Sequence, residues 1–201
     1  MVTPQFLNVG AGDMPLENLV PQGESIDGDG AIYIQTLSAG GTTVDSYQWI
    51  NWGGADVGWM NDDYELVEGV TFPAGAGLWV GGTSTDDNLQ SAGKVGTSDV
   101  IVQLRNGCTA SGNPFPVSIN LQDIVPQGES IDGDGAIYIQ TLSAGGTTVD
   151  SYQWIIWGGA DVGWMNDDYE LVEGVAFAPG EGLWIGATST DDYIRFPAPE
   201  L

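Results

Sequence analysis

The chain contains no histidine, one cysteine and three cationic side chains, Lys94, Arg105 and Arg195, in 201 residues. Each scarcity removes a class of chemistry. Without histidine there is no Ser–His–Asp or Cys–His catalysis, and the common zinc sites lose their nitrogen ligand. Cys108 on its own forms no internal disulfide. The single lysine falls outside the repeated stretch described below, so Schiff-base chemistry shared by the repeats is ruled out. Three cations against 28 acidic residues leave a formal net charge of −25. Nucleic acid is excluded as a partner, because its phosphates meet no cationic patch from which counterions are released. Anionic lipid heads are disfavoured for the same reason. No run approaches the roughly 18 apolar residues of a membrane-spanning helix. The start, MVTPQFLNVGAGD, carries neither the basic region nor the long apolar run of a signal peptide, so none is read in this chain.

Glycine and proline are abundant, at 31 and 10, which points to many tight turns and many short strands. With 42 % hydrophobic residues, eight Trp and five Phe, the chain has the material for a packed core. A net charge this large keeps folded molecules apart and strains each one by self-repulsion. Divalent cations, a high-salt habitat or a basic partner would neutralise it; plain solubility is the simpler reading.

An internal repeat organises the whole chain. Residues Val20–Val70 and Val125–Val175 match at an offset of 105 and differ once, Asn51 against Ile156. Thr71–Asn88 and Ala176–Tyr193 match with more drift, and PLENLV faces NLQDIV loosely. The expected organisation is therefore residues 1–96 as a first copy and 97–201 as a second. The fold class expected is all-β, with two similar tandem sandwich or small-barrel modules of six to eight short strands each, packed together. Ala31–Leu37 alternates, with Ile32, Ile34 and Thr36 on one face and Tyr33, Gln35 and Leu37 on the other. Val100, Val102 and Leu104 alternate with Ile101, Gln103 and Arg105, predicting another strand where the copies meet. Helix, if present, is limited to a single turn.

Three constellations bear on chemistry. Carboxylates near Asp62, Asp63 and Glu65, repeated at Asp167, Asp168 and Glu170, are the remaining inventory for a glycosidase-type acid and base. Neighbouring strand residues point to opposite faces, and a module of this size offers little room for a deep cleft. The chain is read as non-enzymatic. The turn IDGDG spaces Asp27 and Asp29, and in the second copy Asp132 and Asp134, as candidate calcium ligands. The same aspartates also suit a plain turn in which they cap their own backbone. Aromatic faces beside carboxylates and amides suit glycan stacking, and the same rings suit a core. Trp52, Trp59, Trp157 and Trp164, with the Asn51/Ile156 difference, are candidate ligand or interface positions; Trp52 and Trp157 are expected at the surface. Trp79 and Trp184, flanked by Leu and Val or Ile, are expected to be buried.

The segments Gly112–Gly128, Phe177–Gly186 and Ser91–Leu104 resemble β-rich repeat modules of secreted bacterial proteins, most specifically in the Pro-Gly-x-Gly-Leu-Trp turn. The resemblance implies export, a surface or extracellular location and β structure, and identifies no site residues. Two functions remain. One is a structural module that associates with copies of itself in a surface layer or filament. For it, Val2, Phe6, Leu7 and Val9 are candidates for strand pairing with a neighbouring chain. The other is a carbohydrate-binding or adhesin module, with two like sites giving avidity.

Overall fold

The computed structural model describes residues 5–8, 12–23, 32–38, 40–52, 57–82, 88–91, 96–128, 131, 136–143, 147–156 and 162–200, with backbone alone at 5–8, 88 and 91. The chain is all-β. The first copy supplies β1 (Gln5–Asn8), β2 (Met14–Pro15), β3 (Leu19–Gln22), β4 (Ile32–Leu37), β5 (Thr43–Asn51), β6 (Val57–Met60), β7 (Thr71–Phe72), β8 (Gly77–Gly82) and β9 (Asn88–Ser91). The second supplies β10 (Val100–Gln103), β11 (Gly107–Gly112), β12 (Ile119–Asn120), β13 (Val125–Gln127), β14 (Ile137–Leu142), β15 (Thr148–Ile156), β16 (Val162–Met165), β17 (Ala176–Phe177), β18 (Gly182–Ala187) and β19 (Tyr193–Phe196). Nine and ten strands exceed the six to eight expected, because pairs as short as two residues close the ends of each unit. Helix is confined to two three-residue 3₁₀ turns, Leu16–Asn18 and Leu121–Asp123.

Each copy builds one five-stranded antiparallel sheet, in the order β1-β8-β4-β5-β6 and β11-β18-β14-β15-β16. The period-2 pattern explains which face each sheet buries. Ile32 and Ile34 on β4 are 2 % and 0 % exposed, as are Ile137 and Ile139 on β14 at 0 % each. The buried residues form two clusters. One holds Met14, Leu16, Leu19, Ile34, Trp59, Phe72 and Leu78; the other holds Leu121, Ile124, Ile139, Trp164, Phe177, Leu183 and Phe196. At about 1.5–3 kcal/mol for each large side chain taken from water, these clusters are the main source of stability.

The 3₁₀ turns are tied to the sheets through the cores. Trp59 Nε1–H donates to the Leu19 carbonyl at 2.8 Å, and Trp164 Nε1–H to the Ile124 carbonyl at 2.7 Å. Each indole also meets a second one edge-on across the β5–β6 or β15–β16 ladder, Trp49–Trp59 at 5.5 Å and Trp154–Trp164 at 5.4 Å. Aromatic pairs in this geometry add about 0.5–1.5 kcal/mol beyond burial.

The smaller sheets differ between the copies. In the first, β9 pairs with β3; in the second, β19 lies between β13 and β10. The strand β10 forms where the alternation places it, with Val100 and Val102 buried and Ile101 exposed. It is clamped to β19 by its neighbours. Asp99 accepts from Arg195 Nη1 at 3.2 Å and from the Ala198 backbone N–H at 2.9 Å, and Gln103 Nε2 donates to the Asp192 carbonyl at 2.7 Å.

Candidate functional site

The outer faces of the two five-stranded sheets contribute to one cleft of about 500 Å³ between the copies. Its lining repeats itself. Trp79 and Trp184, both half-buried, come from β8 and β18, and each stands directly across a strand from an amide, Gln35 or Gln140. The next cross-strand pair, Leu37 with Thr43 and Leu142 with Thr148, extends the same face on each side. Gln35 and Leu37 are the residues that the alternation of β4 placed opposite its core face. The ninth lining residue, Gly41, belongs to the β4–β5 turn of the first copy. There Gly41 N–H donates to the Ser38 carbonyl at 2.9 Å, and φ is +74°, a conformation that suits glycine. A Cβ on Gly41 would lie 3.1 Å from Cη2 of Trp184, so the turn of one copy rests against the indole of the other.

The walls of the cleft are held by contacts between the copies. Ser111, fully buried on β11, donates its hydroxyl to the Gly75 carbonyl at 2.8 Å. Gly75 is the third residue of the Pro73–Ala76 turn, with φ +78°, and a Cβ there would sit 2.6 Å from Val102 of β10. Gly77 approaches the β11 backbone so closely that a Cβ would be 2.4 Å from Ser111 N. Arg105 Nη1 donates to the Leu37 carbonyl at 3.2 Å, beside the cleft. No charged side chain lines the cleft among the described residues. What converges there is two indoles, two carboxamides, two hydroxyls and two leucines.

The positions singled out in the sequence fall in several places. Trp52 is 54 % exposed, as expected, and stacks on Tyr64 with ring centroids 5.8 Å apart. Trp59 and Trp164 are 3 % and 0 % exposed, so they are core residues and not surface ligands; their indoles face inward to the Leu19 and Ile124 carbonyls. Trp79 and Trp184 correct the expectation of burial, because Leu78 and Val80 take the core face of β8 and the indole between them must take the other. Asn51 pairs with Val57 and Ile156 with Val162 at matching positions, and Ile156 packs against the second core. Asp27, Asp29, Asp132, Asp134, Trp157, Val2 and Val9 lie outside the described residues. Phe6 and Leu7 belong to β1, which pairs with β8 of its own chain.

The acidic turns are closed by an asparagine side chain. Asn61 Oδ1 accepts from the Asp63 and Glu65 N–H groups at 3.0 and 2.9 Å, and Asn166 does the same for Asp168 and Glu170. Tyr64 and Tyr169 complete these turns at φ +60° and +61°. No cluster of three metal-ligating side chains occurs among the described residues. On the second copy, Cys108 Sγ lies 3.3 Å from Tyr138 Oη, and that hydrogen bond, with burial, pushes the phenol up to about 12.

No family model, curated protein or solved structure matches this chain.

Proposed function

We propose that the chain is a non-enzymatic structural module of the bacterial exterior that associates with copies of itself, by adding a strand from a second copy to the outer edge of β9. The observation that carries this reading is the difference between the two small sheets. The outer edge of β19 is filled by β10, whereas β9, the matching strand, is bonded to β3 alone among the described residues. Stereochemistry says which groups face that edge. Pro21 has no N–H and stands opposite Leu89, so the bonded pairs of this ladder are Val20–Gln90 and Gln22–Asn88. The N–H and C=O groups of Leu89 and Ser91 therefore point away from β3.

Four of the other edges carry protection that β9 lacks. Pro21 and Pro126 sit in β3 and β13. The edges of β6 and β16 are met by the bridges Met60–Leu66 and Met165–Leu171. The residues β9 presents are Asn88, Leu89, Gln90 and Ser91, none of them charged. The place β10 occupies on β19 is the precedent for the strand that would be added.

The charge of −25 opposes association until it is screened, so salt and calcium are expected to promote it. The extracellular setting belongs to the same proposal and rests on that charge and on the resemblance to secreted repeats. Light scattering over a concentration series, in calcium-containing buffer, tests the reading. The expected result is a mass above 21.1 kDa that Ser91→Pro returns to the monomer. A wild-type chain that stays monomeric throughout, or a variant that assembles equally well, overturns it.

A further inference from the structure

We infer that the cleft between the copies is a binding site for a neutral oligosaccharide, one molecule per chain. The lining has the chemistry such a ligand needs. Indole rings present flat, polarisable faces for the C–H side of a pyranose, and Trp79 and Trp184 are half-buried at the cleft with their amides opposite them. Gln35 and Gln140 each bring a donor and an acceptor, and Thr43 and Thr148 each bring a hydroxyl, which together match the mixed pattern of a sugar's hydroxyl groups. A volume of about 500 Å³ falls within the range of small-molecule sites.

The symmetry of the lining narrows the ligand further. Equivalent residues of the two copies meet at one cleft, so its two halves offer nearly the same groups. A ligand built from one repeating unit presents like groups to both halves. Charge selects against the anionic members of that class. Among the described residues the lining holds no cation to pair with a uronate or sulfate, the nearby Arg105 Nη1 is engaged by the Leu37 carbonyl, and the whole chain carries −25, which repels anions at a distance.

This site is independent of strand addition at β9, and the wild-type chain serves for the test. Cellohexaose, maltohexaose and hexa-N-acetylchitohexaose are titrated calorimetrically and by tryptophan fluorescence, with hexagalacturonate as the anionic control. At least one neutral hexamer is expected to bind at one per chain and to change the fluorescence, while hexagalacturonate does not bind. Trp79→Ala removes one stacking face and is expected to weaken binding about tenfold, the equivalent of one aromatic contact. Thr148→Tyr fills the cleft from an exposed strand position and weakens binding without touching the core. A melting curve on each variant separates lost binding from lost folding. The inference is overturned if none of the three neutral hexamers binds, if two bind per chain, if the anionic one is preferred, or if Thr148→Tyr folds and binds unchanged.

Discussion

Tyr138 lies across Gly186. The two residues are directly opposed on β14 and β18, and a Cβ on Gly186 would be 1.9 Å from Cζ of the tyrosine. The first copy repeats the relationship between Tyr33 and Gly81, at 2.0 Å. Glycine weakens a strand by its freedom and its missing side chain, and here the opposing ring fills the gap it leaves.

Gly186→Ala is expected to destabilise the chain by about 1–3 kcal/mol, the usual cost of forcing atoms into a filled site. Tyr138→Ala in the same chain removes the obstruction, so the double variant is expected to lose less than the sum of the two singles. Urea denaturation of the four proteins measures the coupling. Additive losses would mean that the ring does not rest on Gly186.

The Tyr138 phenol titrates at about 12, raised by the hydrogen bond with Cys108, by burial and by the charge of the thiolate. Its folded value stands above the ordinary 10. The stability it contributes is therefore present below about pH 10 and lost as pH rises through the folded value. Ultraviolet titration should show this tyrosine ionising late, and Cys108→Ala should bring it down. An unchanged titration in the variant would remove the thiol as the cause.

Asp99 is held below the ordinary carboxylate range, first by the Ala198 N–H and then by Arg195. A carboxylate lowered on folding contributes stability above its unfolded pKa, and that contribution fades as pH falls through the folded value. Because Asp99 anchors β10, hydrogen exchange of Val100–Gln103 should speed up in acid ahead of the core strands. Asp99→Asn should show the fast exchange already at neutral pH. Equal protection in both proteins would deny the clamp.

Gly77→Ala places a Cβ 2.4 Å from Ser111 N and 2.5 Å from Ala110 C, both backbone atoms of the other copy. Backbone cannot rotate away as a side chain does, so β8 and β11 must separate or distort. The expected loss is about 1–3 kcal/mol, with faster exchange at Ser111. A variant as stable as the parent would mean that the junction between copies is soft.

How much of this was legible in the residues varies with the kind of question asked. The alternation of Ile32–Leu37 assigned both faces of β4 correctly, because a strand has no other way to point its side chains. It did not say what covers the face bearing Tyr33, Gln35 and Leu37, which depends on how the copies meet. The apolar neighbours of Trp79 suggest core, although period 2 places a residue and its neighbours on opposite faces. Trp59 suits either a ligand position or the core by sequence, and local pattern does not choose between them, since the partners that bury it, Trp49 and the Leu19 carbonyl, are 10 and 40 residues away. The strand β1 was recognisable, while its pairing with β8 rests on contacts across about 70 residues that no local pattern encodes.

Because both halves of the cleft come from the same repeated stretch, neither copy holds it alone. The smallest genetic event that brings two such linings into one chain is a duplication of that stretch. The smallest that erases it is recombination between the two matching stretches, which would leave one copy in frame with half of the lining. Gain and loss of the cleft are thus single steps in copy number, while substitutions such as Asn51 against Ile156 accumulate elsewhere.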